Sequence, residues 1–174
     1  MSNNKVNTAV LVDKFKGRFG NKIIETKVEF GEVTHVVAKD DLLGVLTILK
    51  GDGDFMMDWL SDVVGVDYLP KKPRFELVYH LLSTKKKHRI RIKIRVEDGE
   101  EIPSVTSIWA GASFAEREAY DMFGFIFKGH PDLRRIYLAE DWEGHPLRKD
   151  YPLRGYKDEY NPNGVDPSKR GSKG

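Results

Sequence analysis

The 174-residue sequence predicts an α+β fold in which a small mixed or antiparallel sheet packs with two or three helices. Several segments before Gly99 alternate apolar and polar residues, which is typical of half-buried strands. Two segments of the same region have apolar residues near helical spacing. From Gly124 onward the sequence is rich in proline, glycine and charge without a sustained period, which predicts an extended C-terminal arm that lies on another surface.

Two helices are predicted in the first half of the chain. Apolar residues near helical spacing predict the first over Thr8–Phe19, with Gly20 as its C-terminal stop. The second is a short helix that Asp40 would cap and Gly51 would close. Its predicted inward-facing residues are Leu42, Leu43, Leu46 and Leu49.

Five strands are predicted around these helices. Residues 24–30 alternate strictly and predict a half-buried strand, and residues 33–38 form the returning strand. Residues 55–68 are ambiguous, although their valine-rich core favours a strand after a helical or turn start. The clearest hairpin joins residues 74–82 to residues 88–96 through a lysine-rich turn.

A third helix is predicted over Ser113–Phe123, and it carries most of the acidic residues that could act in catalysis. Ser113 and Glu116 fit a capping box at its start. Arg117 lies four residues before Asp121, within pairing reach on one face. Glu118 and Asp121 would repel each other unless cations from the arm lie nearby, and the candidate cations are Arg134, Arg135, Arg148 and Lys149. The favoured interpretation is a helix whose acids hold the basic arm; a general acid/base pair is the alternative.

These patterns divide the chain into four parts. Residues 1–99 are the predicted α+β domain, and residues 100–127 are a connector and helix that belong to the same unit. Residues 128–160 are the predicted extended docking arm. Residues 161–174 are a predicted flexible tail.

Composition excludes several function classes. The sequence has no cysteine, which removes disulfides, thiol nucleophiles and thiolate ligands for iron–sulfur clusters. It has no apolar run near the 20 or so residues that a membrane span requires, and its start lacks a secretory pattern. We therefore expect a cytoplasmic or matrix-like protein that contacts a membrane only through partners.

A basic segment admits three interpretations. Four cations alternate with aliphatic residues over Arg89–Val96, directly after the lysines Lys85, Lys86 and Lys87. The segment could be an edge strand whose charges prevent sheet extension, a docking surface for an acidic protein, or a nucleic-acid-binding strand. The nucleic-acid interpretation lacks the interleaved aromatics of a base-stacking surface.

Two histidines precede prolines, at His130-Pro131 and His145-Pro146, where the backbone before proline is extended. Their spacing matches no compact metal-ligand pattern. We therefore interpret both histidines as residues that anchor turns or interfaces, in preference to metal ligands.

One continuous block resembles a known family. It runs from Glu116-Arg117-Glu118-Ala119-Tyr120-Asp121-Met122-Phe123-Gly124 through His130-Pro131-Asp132-Leu133-Arg134-Arg135 to Pro146-Leu147-Arg148-Lys149-Asp150. The block is similar to the 30 kDa subunit of respiratory complex I, which is the C subunit of bacterial NADH–quinone oxidoreductases. Similar segments extend the resemblance over roughly residues 55–156. Ala110-Gly111-Ala112-Ser113-Phe114 departs mildly from the pattern but keeps an N-cap type and an aromatic residue.

The resemblance implies a structural subunit of a proton-translocating NADH–quinone oxidoreductase, without activity of its own. It implies docking on the 49 kDa-type subunit and the terminal-cluster subunit near the quinone site, on the cytoplasmic face of the bacterial inner membrane. The assembly would contain FMN, iron–sulfur clusters and quinone, whereas this chain would hold no cofactor or metal and bind no nucleic acid. Related chains in membrane-bound hydrogenases and ferredoxin-linked quinone reductases are the alternative.

The resemblance assigns interface roles, and no catalytic role, to a defined set of residues. These are Glu116, Arg117, Glu118, Tyr120, Asp121, Phe123, Gly124, His130, Pro131, Leu133, Arg134, Arg135, Gly144, Pro146, Leu147, Arg148, Lys149 and Asp150.

Overall fold

A mixed sheet of five strands is the frame of the protein in the computed structural model, which describes residues 8–156 and 161–166. The strands are β1 (Ile23–Glu29), β2 (Glu32–Val37), β3 (Trp59–Asp67), β4 (Phe75–Ser83) and β5 (His88–Val96). They lie in the order β1-β2-β5-β4-β3, with β2 and β5 parallel and the other three pairs antiparallel. This confirms the predicted fold class and the β4–β5 hairpin.

Three helices accompany the sheet: α1 (Thr8–Phe19), α2 (Leu42–Gly51) and α3 (Ala112–Phe123). Their buried residues join the inward side chains of the sheet in one hydrophobic core. On α1, for example, the ring of Phe15 stacks on the buried imidazole of His35 in β2, with 3.6 Å between ring centroids. A second, two-stranded parallel sheet of β6 (Glu101–Pro103) and β7 (Ile126–Lys128) flanks α3 in sequence, and the sequence patterns did not indicate it.

The two faces of the sheet differ in chemistry. Along β5 the aliphatic residues face the core, and the cations Arg89, Arg91, Lys93 and Arg95 face outward. Because β5 lies in the middle of the sheet, the interpretation of this strand as a protected edge is wrong. Three of its four cations form ion pairs with glutamates on the outer face. These pairs are Arg91–Glu32, Lys93–Glu76 and Arg95–Glu25.

The strand at the edge of the sheet next to β2 is β1, and the burial of its residues differs from the prediction. Ile24 and Val28 are 64% and 50% exposed, and Phe30 in the following turn is fully exposed. The alternating pattern identified the strand correctly, but it could not show that β1 lies at the margin of the helical layer.

Details at the start of α2 also differ from the sequence analysis. Asp40 lies in a 3-10 turn, and Asp41 occupies the cap position without a side-chain hydrogen bond. Leu42, Leu46 and Leu49 are buried as predicted, and Val45 is buried as well. Leu43 is half-buried and packs against the core.

After β7, the described part of the chain to Asp166 contains neither a helix nor a strand, apart from one isolated bridge between Tyr156 and Val165. It lies against the chain's own sheet and α3, where the sequence predicted an arm that lies elsewhere. Part of the predicted flexible tail, residues 167–174, falls outside the described residues. Within the described ranges, no helix has the length and apolar character needed to cross a membrane.

Candidate functional site

A buried carboxylate near the C-terminal end of α3 organises the segment that follows β7. The side chain of Asp121 is fully buried and accepts a hydrogen bond from Arg135 Nη1 at 2.7 Å. It also accepts backbone N–H bonds from Ile136, Tyr137 and Leu138 at 2.8–3.0 Å. Burial acts to raise the pKa of Asp121, but these four donors outweigh it and lower the pKa below its ordinary value. One helix residue therefore fixes a whole turn of the arm.

Two arginine side chains, one from α3 and one from the arm, connect α3 with the arm. Arg135 extends from the arm and donates through Nη2 to the carbonyls of Trp142 and Gly144, at 2.8 and 3.0 Å. Arg117 extends from α3 and donates to the carbonyls of Arg134 and Arg135, at 3.1 and 2.9 Å. The predicted Arg117–Asp121 pair is therefore wrong, because backbone carbonyls of the arm take the guanidinium that helical spacing assigned to Asp121.

The C-terminus of α3 depends on a glycine and a histidine. Gly124 has φ of +83° and donates its N–H to Tyr120 O at 2.8 Å, which ends the helix. A Cβ at this glycine would lie 2.8 Å from the ring of His145. His145 Nδ1 lies 2.9 Å from Asp121 O, and its ring meets Tyr120 edge-on with 6.0 Å between centroids. Burial lowers the pKa of His145, which favours the neutral ring.

A second ionic network anchors the arm to the sheet. Arg74, the residue before β4, has a nearly buried side chain that lies between Asp67 at 2.7 Å and Asp150 at 2.8 Å. Arg148 pairs with Asp98 and with Asp150, and the Lys149 backbone N–H donates to Asp67 at 2.9 Å. This network is named the sheet–arm network below.

The acids of the sheet–arm network are held ionised. Burial acts to raise the pKa of Asp67, but hydrogen bonds from Arg74 and two backbone N–H groups lower it to about 2. Sequence analysis did not assign roles to Asp67, Arg74 or Asp98. The sequence did contain a signal for Asp67, which is an acid at the end of an apolar strand. A buried charge without a partner is costly, so an acid in such a position indicates a cationic partner elsewhere in the chain.

Glu116 occupies a different pocket, near the start of α3. Its buried carboxylate accepts from Ser104 Oγ and from the Val105 N–H, each at 2.7 Å. Burial is the dominant influence and raises the pKa of Glu116 to about 7. The predicted capping box is wrong: the cap position is Gly111, without a side-chain bond, because Glu116 turns to the β6 connector instead.

The aromatic end of α3 packs on β3 where a glycine leaves room. A Cβ at Gly65 would lie 2.5 Å from the ring of Phe125 and 2.8 Å from that of Phe123. The ring centroids of Phe123 and Phe125 are 5.8 Å apart. The glycine therefore sets how closely the block approaches the sheet.

The remaining predicted residues lie around these networks. Glu118 is exposed and accepts a 3.3 Å bond from the Tyr137 hydroxyl, while His130 Nε2 lies 3.2 Å from Ser113 O. Leu133 packs at the margin of the core. Pro131 and Arg134 are exposed, and Leu147 donates its N–H to Met122 O at 3.1 Å. Half-buried Pro146 and Gly144, the latter with φ of +82°, complete the turn.

Chemically, this arrangement uses the buried carboxylates of the block to hold segments of the chain together. Asp121 is saturated by four donors, Glu116 is enclosed between α3 and the β6 connector, and Glu118 faces solvent. The acid/base alternative requires Glu118 or Asp121 to line an open pocket with a raised pKa, whereas Asp121 is buried with a lowered pKa and Glu118 lies on the exposed side of α3. Among the described residues, no group of three or more histidines and acids could hold a metal ion.

Comparisons with known proteins identify the family to which the chain belongs. Residues 35–157 match the family described as "Respiratory-chain NADH dehydrogenase, 30 Kd subunit". The chain is 47% identical over 150 residues to the second C subunit (C 2) of the NADH-quinone oxidoreductase of Rhizobium meliloti (strain 1021), and the match covers 86% of this chain and 82% of the relative. It is 49% identical over 150 residues to the C subunit of the NADH-quinone oxidoreductase of Geotalea uraniireducens (strain Rf4), covering 86% and 89%.

Solved structures with the same fold include a trypsin-resistant fragment of Nqo5, with a TM-score of 0.63 and 29% identity. That match covers 74% of this chain and all of the fragment. A chain of the membrane-bound sulfane sulfur reductase, an archaeal respiratory membrane complex, matches with a TM-score of 0.72 and 26% identity, covering 83% and 85%. On the extent of the family match and the identity of its relatives, the chain belongs to the family of the 30 kDa subunit of the respiratory-chain NADH dehydrogenase.

Proposed function

We propose that the chain is a structural and assembly subunit in the peripheral arm of a proton-translocating NADH–quinone oxidoreductase. The isolated chain would have no redox activity, and the assembly would carry FMN, iron–sulfur clusters and quinone. The names of its relatives support this assignment, since they are subunits of NADH-quinone oxidoreductases. Such a complex would place the chain at the cytoplasmic face of the bacterial inner membrane, peripherally and through its partners.

The observation that carries the proposal is the use of Asp121 and the sheet–arm network to fix an irregular segment. Two separate sets of ion pairs hold residues 134–150 against the domain. Order imposed before binding reduces the entropy that association must overcome. A segment held in this way is suited to present a preformed surface to a partner.

The outer side of this segment has the chemistry of an interface. Tyr137 is 65% exposed, and Leu147 and Leu153 are exposed as well. Aromatic and apolar side chains among arginines are typical of interface centres. We propose that residues 128–160 dock on the 49 kDa-type and terminal-cluster subunits near the quinone site.

A second assignment keeps the structural role and changes the reaction. The likeness to a chain of the archaeal sulfane sulfur reductase supports an equivalent place in a related respiratory complex. A membrane-bound hydrogenase or a ferredoxin-linked quinone reductase would be such an assembly. The electron donor of the purified complex distinguishes these cases.

Co-purification tests the proposal. A tagged chain is isolated from membranes in mild detergent, and its partners and the NADH-driven reduction of quinone are measured. We expect flavin and iron–sulfur proteins in a large assembly. A chain that elutes alone would contradict the subunit assignment, and a hydrogen- or ferredoxin-linked assembly would favour the second one.

Substitution of Asp121 tests the structural role. Asp121→Ala should reduce the amount of assembled complex, because it leaves Arg135 and three backbone donors without their acceptor. Turnover per assembled complex should stay near the wild-type value. Glu118→Ala, at an exposed acid of the same helix, is the matched control. Normal assembly with lost turnover would refute a purely structural role.

A further inference from the structure

One end of the outer sheet face carries an exposed tryptophan beside cations that have no ion-pair partner among the described residues. Trp59 on β3, Leu82 on β4 and Arg89 on β5 are register partners and form one row across three strands. Trp59 is 58% exposed. Together with the turn residues Lys85, Lys86 and Lys87 this row is called the hairpin-end surface. It lies at the opposite end of β3 from Asp67 and the sheet–arm network.

Next to Trp59 is a groove of about 270 Å³. Its apolar lining comes from Trp59, Leu60, Ile108 and Trp109. Ala110 and Gly111 complete it toward α3, and the charged residues Lys50 and Asp58 lie at its wall. Phe114, three residues beyond Gly111 in the first turn of α3, is 65% exposed. The groove can therefore receive an apolar side chain between aromatic neighbours.

The cations of this surface differ from the rest of the basic strand. Arg91, Lys93 and Arg95 have glutamate partners on the same face. Within residues 8–156 and 161–166, no carboxylate lies within ion-pair distance of Lys85, Lys86, Lys87 or Arg89, and all four are exposed.

Two acids near the lysine-rich turn have partners of their own. Asp58, which precedes Trp59, accepts hydrogen bonds from the Thr84 N–H and hydroxyl. This contact holds the lysine-rich turn beside the groove. Asp54 pairs with Lys14. The surface therefore combines a fixed turn, an excess of positive charge and an apolar groove.

We propose that the hairpin-end surface binds an acidic segment of a neighbouring subunit, with an apolar side chain of that segment in the groove beside Trp59. The inference rests on the proposed function, because it places the partner in the same assembly. Charge complementarity selects an acidic segment. A nucleic acid would need a series of aromatic residues for its bases, whereas this surface combines an apolar groove with lysines.

Cysteine labelling of the assembled complex tests the proposal, because this sequence has no cysteine and an introduced thiol is then the single labelling position on the chain. Iron–sulfur partner subunits carry cysteines of their own, so the label is read on this chain after denaturing electrophoresis separates the subunits. Trp59→Cys changes a largely exposed residue, so the fold should tolerate it. A water-soluble maleimide should react about tenfold more slowly in the complex than in the free chain, since interface centres exclude water. A short heterobifunctional cross-linker on this cysteine should reach a subunit segment rich in Asp and Glu.

The possible results separate the two proposals. If no complex co-purifies with the unsubstituted chain, the proposed function fails and the inference falls with it. If the complex forms but the cysteine reacts as fast as in the free chain, the inference alone fails. Cross-linking to lipid, to nucleic acid or to a segment without excess acid also overturns it.

Charge reversal provides an independent readout. The triple variant K85E/K86E/K87E should slow association of the free chain with subcomplexes that lack it by about 10- to 100-fold at low salt. The matched control K85R/K86R/K87R keeps the charge and should associate at the wild-type rate. Equal rates for both variants would contradict an electrostatic docking surface.

Discussion

The two ends of α3 bury carboxylates in opposite ways. Asp121 lies near the C-terminal end, where a guanidinium and three backbone N–H groups surround it and lower its pKa. Glu116 lies more than one turn earlier in an enclosed pocket, where a hydroxyl and one backbone N–H are its donors. There burial dominates and raises the pKa to about 7.

The difference teaches that adjacent acids of one motif can serve distinct structural purposes. Asp121 binds a segment distant in sequence and depends on charge, whereas Glu116 joins α3 to the β6 connector and depends on hydrogen bonds. The Asp121 contact should therefore weaken at low pH and the Glu116 contact at high pH. Substitutions at each end test this contrast.

The largest effect is expected for Asp121→Asn. The asparagine side chain keeps the shape of Asp121 but removes its charge, so Arg135 stays nearly buried without its anion. Its NH2 group would also face backbone N–H groups, which are donors like itself. Loss of one partner of a buried ion pair costs about 3–5 kcal/mol. Urea denaturation of the full chain at pH 7 measures this loss, and a cost below that of an exposed ion pair would contradict the role of Asp121.

The next effect concerns pH and Glu116→Gln. Because the folded-state pKa of about 7 exceeds the ordinary value of 4.5, the contribution of Glu116 is complete below pH 4.5 and is lost as the pH rises through 7. The shift corresponds to roughly 3 kcal/mol. The free-energy difference between wild type and Glu116→Gln should therefore fall between pH 4.5 and 8. Parallel pH profiles of the two proteins would show that Glu116 titrates normally.

A smaller effect is expected for Ser104→Ala, which removes the hydroxyl donor of Glu116. A buried acceptor without its donor costs about 1–3 kcal/mol. The pKa of Glu116 should also rise further, since that bond favours the ionised form. Ser104→Thr can keep the hydroxyl and serves as the control in the same titration. An unchanged pH profile for Ser104→Ala would rule out this contact as an electrostatic influence.

The smallest effect is expected at an exposed ion pair of the same arm. Arg134 and Asp132 are 3.0 Å apart, with side chains 63% and 54% exposed. Solvent-exposed pairs contribute about 0–1 kcal/mol. Arg134→Ala should therefore change the denaturation midpoint little compared with Asp121→Asn. A loss as large as that of Asp121→Asn would mean that the arm depends on charge in general and not on burial.

Much of the fold could be predicted from local pattern. Two strand-like runs joined by a lysine-rich turn identified the β4–β5 hairpin, and helical spacing identified α1 and α2. Local pattern did not predict β6 and β7, because two strands of three residues carry too little periodicity. Nor did it indicate that β5 is central and β1 is an edge, since strand order depends on contacts between distant segments.

The candidate site was predicted in part. The density of charge and aromatics in the block indicated that its acids hold the arm, and Asp121 does so. Helical spacing assigned Arg117 to Asp121, which is wrong, whereas Arg135 was one of the four candidate cations of the arm and is the partner that the structure shows. The actual partner Arg135 lies 14 residues from Asp121, and the backbone donors of the arm leave no trace in residue identity.

By itself the sequence determined which family the chain resembles, which segments form the main strands and helices, and that cysteine chemistry is absent. Tertiary structure decided which charges find partners. It joined Arg74 to Asp150 across 76 positions, neutralised three cations of β5, and left Arg89 and the hairpin lysines free of ion pairs within the described residues. The reason is physical, because the energy of a charge depends on its burial and on neighbours that only folding brings near.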